Sequence, residues 1–183
     1  MELHIPRELR KLKRATAVVL PKDFGLMAGY AMIDKSKVVL EAGTGTGFLC
    51  YMLSGIAKKV VSYEERPEFY ENAKKNLAGR KNVVLRNASI EKAKEKADVI
   101  ILDMKDAPLM VPKLVKNLKK DGMMVGYLPN AEQISAFAKA CRNSGAKDVF
   151  VVESIVRDFQ TEPGFRPFHI GLMHTAYLCF ASW

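Results

Sequence analysis

Cysteine is scarce, three in 183 residues, and no two stand at Cys-x-x-Cys spacing. That argues against a disulfide scaffold and against a zinc site, and no metal is expected. Cys50, Cys141 and Cys179 read as reduced thiols in or near the core. No run of about 18 uncharged apolar residues occurs, so no membrane-spanning helix is expected. The first residues lack the basic-then-apolar order of a signal peptide, and a cytoplasmic protein is expected. Acid is also short: 20 Asp and Glu face 29 Lys and Arg, a net charge of +9. Such an excess favours a polyanionic partner, nucleic acid first, although a lysine-coated surface produces the same balance. Apolar residues are plentiful at 49%, enough for one core in a chain of single-domain length.

The basic excess is densest at Arg7, Arg10, Lys11, Lys13 and Arg14, opposed only by Glu8. Residues 1–22 read as a basic arm that can track phosphates, or equally as a solvated helix turn. Leu20-Pro21-Lys22-Asp23 then turns into a helix, with Asp23 as its cap. Residues 37–42 have the branched apolar run of a buried parallel strand, and residues 60–64 form a second. Further strands are expected at 82–85, 97–104 and 123–128, the last entered through an Asp121-Gly122 turn. A helix is expected to run to about Lys120. Another carries Ile134, Phe137, Ala138 and Cys141 on one face and stops at Gly145. Residues 148–156 and 174–180 are β-rich, with a polar loop between them. Strand and helix alternate until two successive strands close the chain. This predicts an α/β fold: a mostly parallel sheet with helices on both faces and an antiparallel pair at one edge.

Ligands of such sheets bind beyond the strands' carboxyl ends. There the first strand carries Glu41-Ala42-Gly43-Thr44-Gly45-Thr46-Gly47. The glycines permit a tight turn and close approach of backbone to ligand, in G-x-G-x-G spacing rather than the G-x-G-x-x-G of dinucleotide enzymes. Glu64 ends the second strand, where a carboxylate can accept two hydrogen bonds from a ribose diol. Asp103 ends the fourth strand, facing the same crevice or capping the next helix.

A glycine loop with an acid after strand two and another after strand four resembles the class I S-adenosylmethionine-dependent methyltransferases. Leu20-Pro21-Lys22-Asp23, Ser62-Tyr63-Glu64, Tyr127-Leu128-Pro129-Asn130 and His174-Thr175-Ala176-Tyr177-Leu178, in that order, are similar to the tRNA 1-methyladenosine methyltransferase family. The resemblance runs from about Arg14 to the C-terminus. It implies a Rossmann-like fold with a seven-stranded sheet, residues 23–183 as the methyltransferase domain, and S-adenosylmethionine as cofactor. It implies that Glu41, Gly43, Thr44, Gly45, Thr46 and Gly47 hold the methionine and ribose part. Glu64 would take the ribose hydroxyls, Ser89 would lie at the adenine, and Asp103 would stand beside the transferred methyl and the target base. Arg10, Lys11, Lys13, Arg14 and His174 would meet the substrate, tRNA or another RNA.

The chain departs from that family in four places, one of them Asn87-Ala88-Ser89, where the family often has an acid at the adenine. Only about twenty residues precede the Pro-Lys-Asp segment, where the family carries a small β-domain. Leu20 stands where an aromatic residue is usual, and Lys105-Asp106-Ala107-Pro108 replaces a Glu-Pro-Trp run. The alternatives are a small-molecule methyltransferase of the cobalamin-precursor type and a non-catalytic tRNA-binding subunit. The apolar run Tyr177-Leu178-Cys179-Phe180, read as a sheet edge, and the family's tetramers predict a homo-oligomer, at least a dimer.

Overall fold

The computed structural model describes residues 5–168 and 174–183. The first four strands are branched apolar runs. Strand β1 (Val38–Ala42) leads to helix α3 (Phe48–Ile56), β2 (Lys59–Tyr63) to α4 (Pro67–Asn76), and β3 (Val83–Arg86) to a short 3-10 turn. Strand β4 (Ala97–Leu102) leads to α5 (Ala107–Leu114), and β5 (Leu118–Leu128) to α6 (Ala131–Asn143). Ahead of these stand α1 (Arg7–Arg10) and α2 (Pro21–Tyr30). After them come β6 (Asp148–Glu153), a two-stranded hairpin of β7 (Phe159–Gln160) and β8 (Arg166–Pro167), and β9 (Tyr177–Ser182). The main sheet has seven strands in the order β3-β2-β1-β4-β5-β9-β6, with β9 antiparallel to both neighbours.

Side chains alternate across the strands, as a two-residue period requires. Leu40, Val61, Ile100, Leu102 and Met124 face one layer, packed on Val111, Leu114, Ile134 and Phe137 of α5 and α6. Val39, Val60, Val99, Ile101 and Val125 face the other, packed on Met27, Leu49, Leu53 and Ala73 of α2, α3 and α4. Burial on both faces explains why these strands read as unbroken apolar runs. Strand β1 has β2 on one side and β4 on the other, both parallel, so the chain reverses its direction of winding there. The crevice at that switch point is where the strand ends can meet a ligand.

Five expectations need correction. Asp23 is not the cap of α2: Leu20 holds that position, and Asp23 lies fully buried in the first turn. The helix after β4 ends at Leu114, followed by a 3-10 turn and then β5 from Leu118. Asp121-Gly122 lies inside β5 as an irregularity, the β4 register shifting between Ala97 and Val99, with Asp121 at φ 58. The fourth concerns the polar loop, which contains the β7–β8 hairpin; positions 169–173 lie outside the described residues. The fifth bears on assembly. Tyr177-Leu178-Cys179-Phe180 is no sheet edge, because β9 runs between β5 and β6. Its apolarity is that of an interior strand and is no sign of self-association. All three cysteines are free and buried, as expected. Among the described residues no helix is long and apolar enough to cross a membrane.

Candidate active site

Two clefts open at the carboxyl ends of β1, β2, β4 and β5 and share one floor of Gly43, Arg66, Asp103, Tyr127 and Pro129. The larger, about 620 Å³, is walled by Glu64, Glu65, Ala88, Ile90 and Met104. The smaller, about 370 Å³, is walled by Thr44, Gly45 and Thr46 of the glycine loop, by Arg14 and Thr16, and by His174 and Thr175.

The loop hugs the sheet because its first residue has no side chain. A Cβ on Gly43 would stand 1.8 Å from the Asp103 carbonyl oxygen, and φ there is +86. The Asp103 N–H donates to the Ala42 carbonyl at 2.9 Å, so the ends of β1 and β4 are pinned together at that point. The Gly45 N–H donates to Glu64 Oε2 at 2.8 Å, and Arg66 Nε donates to Glu64 Oε1 at 2.9 Å. Burial alone would raise the Glu64 carboxyl, but the bonds from Arg66 and Gly45 outweigh it and hold the pKa below its ordinary value. The Arg66 backbone N–H also donates to Oε1 at 3.1 Å and Arg66 Nη2 to Oε2 at 3.4 Å, so this ionised carboxylate on the wall of the larger cleft takes a vicinal diol when the exposed Arg66 side chain gives way.

Asp103 differs. Burial first, then the charges of Glu41 and Glu64, push its carboxyl up to about 7 against the pull of Arg66. An acid held that way on the common floor favours a cation beside it. Asp103 does not cap α5, a position held by Asp106.

Not every residue singled out in the sequence reaches a cleft. Glu41 is fully buried beneath the loop and lines neither. It accepts from Ser62 Oγ at 2.6 Å, and Ser62 also bonds the Thr44 hydroxyl. Glu41 therefore touches a ligand only through Ser62 and the loop, while its charge acts on Asp103. Ser89 caps the 3-10 turn, its hydroxyl accepting from the Glu91 N–H, while its neighbours Ala88 and Ile90 line the larger cleft. Gly47 caps α3 at φ 82. On the arm, Arg10 donates to the Ile5 carbonyl and Lys11 pairs with Glu8, both exposed, and neither lines a cleft. Lys13 is held through its backbone by Asn72 and Asn76. Only Arg14 of that group reaches the smaller cleft. His174 lines it too, with both ring nitrogens engaged, Nδ1 with Glu153 at 2.5 Å and Nε2 with the Pro129 carbonyl at 2.8 Å. The Glu153 bond raises its pKa.

Sequence reasoning missed Arg66 and the support of Tyr127. The Tyr127 hydroxyl donates to Asp23 Oδ2 at 3.2 Å, and Thr175 Oγ1 donates to the same oxygen at 2.9 Å. Lys22 Nζ donates to Asp23 Oδ1 at 2.7 Å and reaches Thr175 and the Ser154 carbonyl. The Pro-Lys-Asp segment is thus the buried brace behind a tyrosine on the cleft floor. In the sequence it showed only as a charged pair after a proline and as one of the segments that carry the family resemblance, with no sign of the tyrosine it supports.

Residues 33–162 match the family model for a methyltransferase domain, and the fold and glycine loop agree with it. The chain belongs to the class I S-adenosylmethionine-dependent methyltransferases, and S-adenosylmethionine is its cofactor. Its relatives include tRNA and protein methyltransferases. It is 34% identical to the tRNA (adenine(57)-N(1)/adenine(58)-N(1))-methyltransferase TrmI of Methanocaldococcus jannaschii, across 94% of this chain and 74% of that protein. The crystal structure of the tRNA (m1A58) methyltransferase TrmI from Aquifex aeolicus superposes with a TM-score of 0.88 at 30% identity, covering 96% of this chain and 74% of that one. A SAM-dependent O-methyltransferase structure from Thermotoga maritima gives a TM-score of 0.89 at 28% identity, covering 97% and 71%.

The residues present fit the cofactor. The loop leaves no room for a Cβ at Gly43, and Glu64 is ionised at the larger cleft. The Thr46 hydroxyl, at the smaller cleft, is buried with no hydrogen-bond partner among the described residues.

Proposed function

We propose that the chain methylates N1 of an adenine in tRNA. The observation that carries the reading is the shared floor: Asp103 and Tyr127 face both clefts, so a nucleoside beside Glu64 and a target base beside Tyr127 meet at one carboxylate. The similarity to TrmI enzymes supports adenine N1 as the acceptor, and the net charge of +9 suits a polyanion. Bound S-adenosylmethionine supplies a methyl group on a sulfonium sulfur, which departs as the neutral thioether. Gly43, Gly45, Thr44, Thr46 and Glu64 hold and orient that ligand. An adenine ring nitrogen carries its own lone pair, so no strong base is required of the protein. Asp103 accepts from the exocyclic amine of the target and balances the positive charge that the ring gains. Tyr127, braced by Asp23, and Pro129 wall the base and exclude water. Arg10, Lys11 and Lys13, exposed on the arm, contribute phosphate contacts, and His174 steadies the Pro129 turn at the entrance.

Mass spectrometry of nucleosides after incubation of the protein with isotope-labelled cofactor and bulk tRNA tests this. Labelled 1-methyladenosine is the expected product. Label in another base, or none in RNA, would overturn the acceptor assignment and favour a small-molecule substrate.

A pH dependence follows from Asp103. Its folded-state pKa lies above the ordinary carboxyl value, so the folded chain keeps a proton that the unfolded chain loses. Its share of stability therefore falls as pH rises from about 4 to about 7. A sulfonium beside it favours the ionised form. Affinity for S-adenosylmethionine should strengthen relative to S-adenosylhomocysteine, whose sulfur is neutral, by about tenfold between about pH 6 and about pH 8. Calorimetry at the two pH values reads this ratio, and a constant ratio would contradict the placement of the sulfonium at Asp103.

A further inference from the structure

The smaller cleft carries a cation for which the described structure provides no anion. Of its charged groups, Arg66 is paired with Glu64 and His174 with Glu153. Asp103 is the acid of the floor. Arg14 alone has no carboxylate partner among the described residues, yet it lines this cleft.

Its position is fixed from below. Asn76 on α4 grips the backbone of the preceding residue from both sides: Oδ1 accepts from the Lys13 N–H at 2.9 Å and Nδ2 donates to the Lys13 carbonyl at 2.9 Å. The same Nδ2 donates to the Thr46 carbonyl at 2.8 Å. One side chain therefore ties the root of Arg14 to the glycine loop. Two residues on, Thr16 Cγ2 would touch a Cβ on Gly45 at 3.4 Å, so the arm lies against the loop here. Thr46 lines the same cleft, and its hydroxyl is buried without a hydrogen-bond partner among the described residues.

A nucleoside held at Glu64, with its sulfur on the shared floor, must direct its remaining end into the smaller cleft. That end is an amino acid and bears an α-carboxylate. We propose that Arg14 receives this carboxylate, with the Thr46 hydroxyl as a second donor. The assignment rests on reading the two clefts as one cofactor site. It removes Arg14 from the set of arm residues offered to tRNA phosphate, and leaves Arg10, Lys11 and Lys13 there. A guanidinium matches a carboxylate by two parallel N–H donors, which a lysine cannot reproduce.

The test is calorimetry with two ligands. S-adenosylhomocysteine carries the amino acid; 5′-methylthioadenosine has the same nucleoside and a thioether but no carboxylate. Arg14 is exposed, so its replacement spares the core. Arg14→Ala should weaken S-adenosylhomocysteine by about tenfold to a hundredfold and leave 5′-methylthioadenosine unchanged. Arg14→Lys should recover part of the loss. Equal effects on both ligands, or none on either, would overturn the assignment. So would an Arg14→Ala protein whose only defect is weaker tRNA retention in a gel shift, since that places the side chain on a phosphate. Wild-type protein that binds neither ligand defeats the reading of the clefts themselves, and the assignment with it.

Discussion

Replacing Gly43 with alanine is expected to destroy cofactor binding and to cost the fold about 3 kcal/mol, a fall of roughly 6–12 °C in Tm. Two causes add. The residue sits at φ +86, where an L side chain is strained, and the new Cβ would stand 1.8 Å from the Asp103 carbonyl oxygen. That neighbour is backbone, bonded through its own N–H to Ala42, and cannot swing aside. Relief requires the ends of β1 and β4 to part, which displaces Asp103 and opens the floor that both clefts share. Gly79→Ala separates the two causes. Its φ is +85 with nothing within 4 Å of a built Cβ, so it bears the strain alone. It should lose only about 1–2 kcal/mol and keep full affinity for S-adenosylhomocysteine. Thermal melts and calorimetry on both variants check this. A Gly43→Ala protein as stable as Gly79→Ala would show that the close approach is not a constraint.

Asp103→Ala is the second large effect. Methyl transfer should fall by about a thousandfold or more, the scale for removing a group that stabilises transition-state charge. S-adenosylhomocysteine should still bind, because the loop and Glu64 remain. Preference for the sulfonium over the thioether should shrink, since the charge that favours it is gone. Asp103→Asn, which keeps an acceptor oxygen but no charge, should fall between. Single-turnover rates with tRNA, beside calorimetry on both ligands, separate the chemistry from binding. Full activity in Asp103→Ala would refute its assigned part.

What could be read from the chain alone was local. The strand β1, its glycine turn and the acid after β2 announce themselves within about ten residues, by apolar period, by glycine and by charge. Glu64 and Asp103 were found because each leaves the sheet at a predictable end. The interior position of β9 was not legible: an apolar strand between two partners and an apolar strand at an edge have the same composition. Nor was the burial of Glu41, since an acid beside a glycine loop reads the same whether it points out at a ligand or down at Ser62. The place of Arg14 depends on Asn76, from which Lys13 is 63 positions removed, and the brace of Tyr127 depends on Asp23, 104 positions away. Contacts of that range leave no spacing to recognise. The basic arm therefore looked uniform, although one of its cations lines a cleft while others serve its own short helix.

The structure of the protein crystallised with S-adenosylhomocysteine tests the central claim most directly. The adenosine should lie in the larger cleft with its sugar hydroxyls on Glu64, the sulfur over Gly43 and Asp103, and the amino-acid end in the smaller cleft. A ligand found elsewhere, or both clefts closed to it by Arg66 and Tyr127, would contradict the account.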